Sequence, residues 1–119
     1  MVRKEIKSLK TITIIALFGI VATGGSALAQ EKGNAEAGKA VFAKSCKSCH
    51  GPDGSGNANL AKMLKVTIPD LRSKEVQSKS DKELGKAIAE GTGKMKPVKN
   101  LSDKDVHDVV ASIRTLEKR

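Results

Sequence analysis

Hydrophobic residues recur at helical spacing in four stretches of the chain, and segments rich in Gly, Pro and Asn separate them. The first stretch runs from about 35 to 48 and follows Asn34, a residue type that favours helix N-caps. A loop is predicted at 51–59, then a short helix at 60–66, which ends before Pro69. These positions predict two helices joined by an irregular loop.

The other two stretches carry clearer start and stop signals. Ser80 followed by Glu83 is typical of a capping box, and Gly91 marks the end of this third helix. Ser102 precedes the last helix, whose apolar positions keep a helical period: Val106, Val109, Val110, Ile113 and Leu116. A loop is predicted between the two, at 91–100. No stretch shows the alternation of a strand, so the sequence predicts an all-α domain of about four helices.

The first 29 residues have the pattern of a secretory signal peptide. Basic residues precede an apolar run at 12–22, and an Ala-x-Ala site ends at Ala29. An uncleaved membrane anchor is the alternative, but this run of 11 residues is shorter than the roughly 20 that span a bilayer. We therefore expect cleavage after Ala29, no stable membrane insertion afterwards, and a mature domain at 30–119.

Charge and composition narrow the possible partners of the mature domain. Residues 1–29 contain four of the 22 basic and one of the 13 acidic residues, so 30–119 keeps 18 and 12, a net charge of +6. That charge favours acidic partners. Phe42 is the single aromatic residue after the signal peptide, which argues against nucleic-acid binding. Because so small a domain needs an additional source of stability, we expect a bound group to supply apolar bulk.

The chemistry of the chain centres on "KSCKSCHG", which holds both cysteines, Cys46 and Cys49, beside His50. A thioredoxin-like redox pair requires a preceding strand in a βαβ setting, and none is predicted. A zinc site requires four ligands, of which His107 would have to be the fourth. A disulfide is compatible with export but would close a very small loop. The remaining possibility is covalent attachment of a c-type haem.

The spacing of these residues suits haem attachment. At a helix end, positions separated by three and four residues lie on one face, so two thioethers and an imidazole can reach the same macrocycle. Export agrees, because bacteria attach this haem outside the cytoplasm.

The mature chain resembles the class I cytochromes c from end to end. "AGKAVFAKSCKSCHGPDGSG" is similar to their first helix and haem-binding segment, and "GTGKMKPVKNLSDKDVHDVVASIRTL" to their methionine loop and last helix. The resemblance implies a small cytochrome c fold around one covalent haem c, with His50 and Met95 as axial ligands. It also implies, on a loose alignment, that the carbonyl of Pro69 accepts a hydrogen bond from His50. Met63 and His107 are the alternative sixth ligands; we expect Met63 in the core and His107 half-exposed.

One position departs from the family pattern. Ser112 stands where the last helix commonly carries an aromatic residue that packs beside the glycine matched by Gly38. The contact between the first and last helices is therefore expected to be weaker, or to be repacked through Ile113 and Leu116.

The function that follows is electron transfer, not enzymatic catalysis. We expect a monomeric periplasmic carrier that shuttles one electron between respiratory redox proteins. A haem peroxidase and a gas-binding sensor are the alternatives, and both need an iron with an open or exchangeable position. Five lysines flank the haem-binding segments and favour partners with acidic docking surfaces: Lys44, Lys47, Lys94, Lys96 and Lys99.

Overall fold

The computed structural model describes residues 32–116, which form six helices. In chain order they are α1 (Ala35–Ser45), α2 (Lys47–His50), α3 (Ala58–Leu64), α4 (Lys74–Gln77), α5 (Asp81–Glu90) and α6 (Asp103–Arg114). Within 32–116 no residue lies in a strand, which confirms the all-α class. The first predicted helix, at 35–48, is divided at Cys46 into α1 and the start of α2, and α4 is additional to the four predicted helices. The predicted signal peptide and its cleavage site lie outside the described residues.

Polar side chains start the helices at the predicted positions. The Asn34 side chain accepts hydrogen bonds from the first turn of α1. Ser80 and Glu83 form the predicted capping box at the start of α5, in which each side chain bonds the other residue's backbone N–H. Ser102 and Asp105 do the same at the start of α6. Local sequence therefore fixes where the three longest helices begin.

The first and last long helices, α1 and α6, pack closely on each other. An alanine Cβ placed on Gly38 would lie 1.9 Å from the carbonyl oxygen of Asp108 and 2.9 Å from Cβ of Ser112. Ser112 is buried in this contact, so small residues on both helices let the two backbones approach. Ile113 is buried in the core and Leu116 packs against it. The departure from the family pattern thus produces a close helix–helix contact in place of an aromatic one.

The hydrophobic core of residues 32–116 is small and draws on four helices and two connecting segments. Val109 of α6 is completely inaccessible to solvent. Cys46, directly after α1, belongs to this core, and Met95 packs against it from the loop between α5 and α6. The buried members are Phe42, Cys46, Leu71, Val76, Leu84, Ile88, Val109, Val110 and Ile113. The core therefore links two segments for which the sequence predicts a chemical role.

The segment between α3 and α5 is held against α6 by polar side chains. The Gln77 side chain donates to the carbonyl oxygens of Leu71, at 2.8 Å, and of Ile113, at 3.0 Å. Arg114 donates to the Gln77 carbonyl at 2.7 Å and also pairs with Asp81. These bonds anchor the irregular stretch that carries Pro69.

A buried carboxylate ties the start of α1 to α6. Asp108 is only 3% exposed, and its side chain accepts hydrogen bonds from the backbone N–H of Asn34, at 2.7 Å, and from Lys104. The Lys104 bond, followed by the Asn34 bond, lowers the pKa of Asp108 below its ordinary value of 3.8. The charged form is therefore the one that stabilises this contact.

Asp108→Asn is expected to lower the melting temperature near neutral pH, because it removes the charge that both donors favour. A carboxyl whose pKa is depressed by folding contributes fully above its ordinary pKa, and that contribution is lost as the pH falls through the folded value. The difference in melting temperature between wild type and variant should thus be largest above about pH 4 and should become smaller in more acidic solution. Thermal unfolding followed by circular dichroism across this range measures this difference. Asp103→Asn, at an exposed position in the same helix, is the control and should change the melting temperature much less. A change for Asp108→Asn that does not depend on pH would contradict a stabilising role for the charged carboxylate.

Candidate functional site

Backbone hydrogen bonds wind Cys46, Cys49 and His50 into a single turn. The Cys46 N–H donates to the carbonyl of Phe42 at 2.9 Å, which extends α1 by one bond. The Cys46 carbonyl then accepts from the N–H of Cys49, at 3.2 Å, and of His50, at 3.0 Å. This turn has the local conformation that the spacing predicts. It follows a helix, not the strand that precedes a thioredoxin-type cysteine pair.

The two thiols occupy different environments. Cys46 is 7% exposed, whereas Cys49 is exposed, and the two are not joined in a disulfide. Burial, with a smaller contribution from Cys49, raises the pKa of Cys46 from 9.0 to about 11. Burial therefore disfavours the thiolate of Cys46, which is the form that takes part in disulfide exchange. Within residues 32–116, no three His, Cys, Asp or Glu side chains are placed to hold a metal ion together.

His50 is half-buried and carries an unsatisfied nitrogen. Its Nδ1 atom is buried and has no hydrogen-bond partner. Burial lowers the pKa of His50 below its ordinary value of 6.5, so the imidazole is neutral at pH 7, the form that ligates metals. A buried polar atom without a partner costs about 1–3 kcal/mol. The environment of His50 therefore fits an imidazole that meets a metal ion on one nitrogen and an acceptor on the other.

Pro69 does not supply that acceptor in this structure. The proline is exposed, and no carbonyl accepts a hydrogen bond from His50 Nδ1. Its assignment therefore stays a prediction for the haem-bound protein.

Met95 lies in a tight turn between α5 and α6. Thr92 and Met95 exchange two backbone hydrogen bonds, of 3.0 and 2.9 Å, around Gly93. Gly91 has a φ of +80°, and an alanine Cβ there would lie 2.6 Å from the Met95 carbonyl oxygen. The Val98 N–H bonds the carbonyl of Ile88 at 2.9 Å and returns the loop to α5. The half-buried Met95 is thus positioned by backbone geometry that only glycine permits at position 91.

The alternative sixth ligands lie on the surface. Met63 is 71% exposed, so the prediction that it belongs to the core is wrong. The reason is that α3 turns Met63 and Leu64 outward, whereas Leu60 and Ala61 are its half-buried apolar residues. His107, predicted to be half-exposed, is exposed. Of the three candidates, Met95 alone packs against the core that includes Cys46.

Asn57 is a residue of this site that the sequence reasoning missed. Its backbone N–H and its side-chain amide bond the carbonyls of Cys49 and Ser48, and its side-chain oxygen caps α3. The available signal was an asparagine directly before a short apolar helix, which is a typical N-cap. Its hydrogen bonds to Cys49 and Ser48 depend on how the preceding loop folds, so neighbouring residues in the sequence do not predict them.

A helix ending in Cys-x-x-Cys-His, a methionine loop and a C-terminal helix packed on the first define the class of c-type cytochromes. Comparison with known families agrees: the cytochrome c family model matches residues 35–117. The chain belongs to the cytochrome c family. Membership implies covalently bound haem c and a role in electron transfer.

A solved structure similar to this chain is the c-type cytochrome KustC0563, at 31% sequence identity and a TM-score of 0.59. The match covers 68% of this chain and 98% of that one. The comparison with curated proteins gave no match. Among the helices in 32–116, none is long and apolar enough to cross a membrane.

Proposed function

We propose that this chain is a monohaem c-type cytochrome that carries single electrons between respiratory redox partners in the periplasm. The observation that carries the proposal is the turn that joins Cys46, Cys49 and His50 in a member of the cytochrome c family. The two cysteines of the sequence provide one attachment pair, hence one haem per chain. When bound, the haem supplies a reversible one-electron couple at its iron.

We assign both axial ligands of the haem iron to side chains of this protein. His50 provides a neutral imidazole with an unsatisfied nitrogen, and Met95 provides a thioether from a turn whose backbone is fixed. A histidine–methionine pair raises the reduction potential and leaves no position for an external ligand. This ligand set favours an electron carrier over a peroxidase or a gas sensor.

A redox titration combined with carbon monoxide tests the proposal. We expect one reversible one-electron transition, and no spectral change when carbon monoxide is added to the ferrous protein. Rapid and complete binding of carbon monoxide would instead support the enzyme or the sensor. Absence of any redox-active absorption would reject all three.

The turn at Gly91 provides a separate test of the Met95 assignment. Gly91→Ala should displace the loop, because the new Cβ would overlap the Met95 carbonyl oxygen and lie 2.9 Å from the Pro97 ring. The expected result is a weakened near-infrared sulfur-to-iron band and faster carbon monoxide binding. Gly93→Ala is the matched control: its φ of +56° costs about 1–2 kcal/mol, but nothing lies within 4 Å of the added Cβ. Equal spectra for Gly91→Ala and wild type would contradict the assignment.

The proposed partners are acidic redox proteins. The five flanking lysines are all exposed. Lys44 and Lys47 line a groove of about 580 Å³ beside the turn of residues 46–50, called the attachment turn below, and no acidic residue lines this groove. Electron-transfer rates with an acidic partner should therefore fall as ionic strength rises. Stopped-flow kinetics at several salt concentrations measure this dependence. The double variant Lys44→Gln/Lys47→Gln should show a weaker dependence on salt than the wild type. Lys82→Gln, at an exposed position on α5, is the control. A rate that does not depend on salt would contradict acidic docking.

The location and the mature form are part of the proposal. Cleavage after Ala29 would release a monomeric domain of residues 30–119 into the periplasm, where haem attachment takes place. N-terminal sequencing of the exported protein should find Gln30 first. An intact Met1 would indicate an uncleaved anchor.

A further inference from the structure

The last carbonyls of the attachment turn accept hydrogen bonds from the loop that follows it. In α2 the carbonyl of Lys47 accepts from the Gly51 N–H, and the carbonyls of Ser48, Cys49 and His50 have no partner within the helix. The chain reverses through Gly51, Gly54 and Gly56, all with positive φ. Residues 51–57, called the clamp loop below, thereby return to the helix end.

The clamp loop satisfies all three carbonyls from two consecutive residues. The Gly56 N–H donates to the His50 carbonyl at 2.7 Å, and the Asn57 N–H donates to the Cys49 carbonyl at 2.9 Å. The Asn57 Nδ2 atom donates to the Ser48 carbonyl at 3.1 Å. The backbone of each residue in the Ser48–His50 segment is therefore fixed by this loop.

The same side chain also starts the next helix. The Asn57 Oδ1 atom accepts from the Leu60 N–H at 3.1 Å, which makes Asn57 the N-cap of α3. One amide thus joins the end of α2 to the beginning of α3. This double role needs a donor and an acceptor on one short side chain, which an amide provides and an ionised carboxylate does not.

We propose that Asn57 is a positioning residue for haem ligation: its amide holds the turn that carries Cys49 and His50, and so sets the orientation of the His50 imidazole. The inference rests on the proposed function, in which this turn attaches the haem. His50 Nδ1 has no partner of its own. The backbone of His50 is held by two hydrogen bonds, one from its own N–H to the Cys46 carbonyl and one from the clamp loop to its carbonyl.

Substitution with aspartate separates the two roles of Asn57. Asparagine and aspartate are about equally good N-caps, so Asn57→Asp retains the cap of α3. It replaces the Nδ2 donor with a carboxylate oxygen facing the Ser48 carbonyl, which turns an attraction into a repulsion. Asn57→Ser provides a second, uncharged variant that retains a cap but has no amide to reach Ser48. Asn59→Asp adds the same charge two residues away, at an exposed position in the first turn of α3, and is the control.

Hydrogen exchange and the reduction potential of the full holoprotein are the readouts. We expect the backbone amides at positions 56 and 57 to exchange about tenfold faster in Asn57→Asp and in Asn57→Ser. We also expect both variants to shift the potential beyond any shift produced by Asn59→Asp. Exchange and potential in Asn57→Ser equal to wild type, with Asn57→Asp equal to Asn59→Asp, would overturn the inference and leave Asn57 as a cap alone. Failure of the proposed function is distinct: the wild type itself would then retain no haem stain after denaturation, whatever the exchange rates.

Discussion

Replacing Gly38 with alanine is expected to destabilise the protein strongly, because the added methyl group would overlap the backbone of α6. The added Cβ would lie 1.9 Å from the carbonyl oxygen of Asp108 and 2.4 Å from its carbonyl carbon. Both are backbone atoms of α6, so no side chain can turn away, and the two helices must separate. Overpacking of a close contact costs about 1–3 kcal/mol, and an overlap with backbone belongs at or above the upper end of that range. A loss of about 3 kcal/mol corresponds to a melting temperature roughly 12 °C lower or more in a domain of this size.

Gly85→Ala is the matched control for this experiment. Gly85 also lies inside a helix, but the nearest atom to its added Cβ is a side-chain methyl of Val106, at 3.3 Å. Alanine favours a helix interior by about 1 kcal/mol over glycine. Thermal unfolding should therefore show a large loss for Gly38→Ala and little change or a gain for Gly85→Ala. Similar melting temperatures for the two variants would show that the close approach of α1 and α6 is not needed for stability.

Met95→Ala is expected to have the largest effect on the site. Loss of the thioether should abolish the weak near-infrared sulfur-to-iron band of the oxidised protein. It should also lower the reduction potential, because a weaker or harder ligand takes the place of sulfur. Carbon monoxide should then bind the ferrous form rapidly and completely.

Met63→Ala is the control for that result. Met63 is 71% exposed, so its removal should leave the spectrum, the potential and the carbon monoxide response unchanged. A band that persists in Met95→Ala and disappears in Met63→Ala would show that Met63 is the ligand. In that case α3 would have to turn this side chain inward when the haem binds.

Local sequence was sufficient for the elements whose signals are short-range. The caps at Asn34, Ser80 and Ser102, and the stop at Gly91, depend on residues within a few positions and are confirmed. The break in the first predicted helix was not predictable in this way. Cys46 adopts φ −120° and ψ −33°, which divides 35–48 into α1 and the start of α2. No Gly or Pro marks the break, and the cysteine at this point is buried in the core formed with α6.

Long-range contacts determine the burial of residues that the local sequence does not predict. Asp108 is a charged residue that the sequence analysis did not single out, yet it is buried and accepts a hydrogen bond from Asn34, 74 residues away. Met63 reads as a core residue and is exposed. The turn of Cys46, Cys49 and His50 followed from spacing alone, whereas the contribution of Asn57 required the path of the clamp loop. Contacts between neighbours in sequence were predictable, and contacts made by chain reversal were not.

The mass of the denatured protein tests the central claim most directly. Thioether bonds survive denaturation, so protein purified from a host that attaches haem should have the mass of residues 30–119 plus one haem, and Cys46→Ala/Cys49→Ala should have the mass of the bare polypeptide. A colourless wild-type protein with the mass of the polypeptide alone would contradict the account.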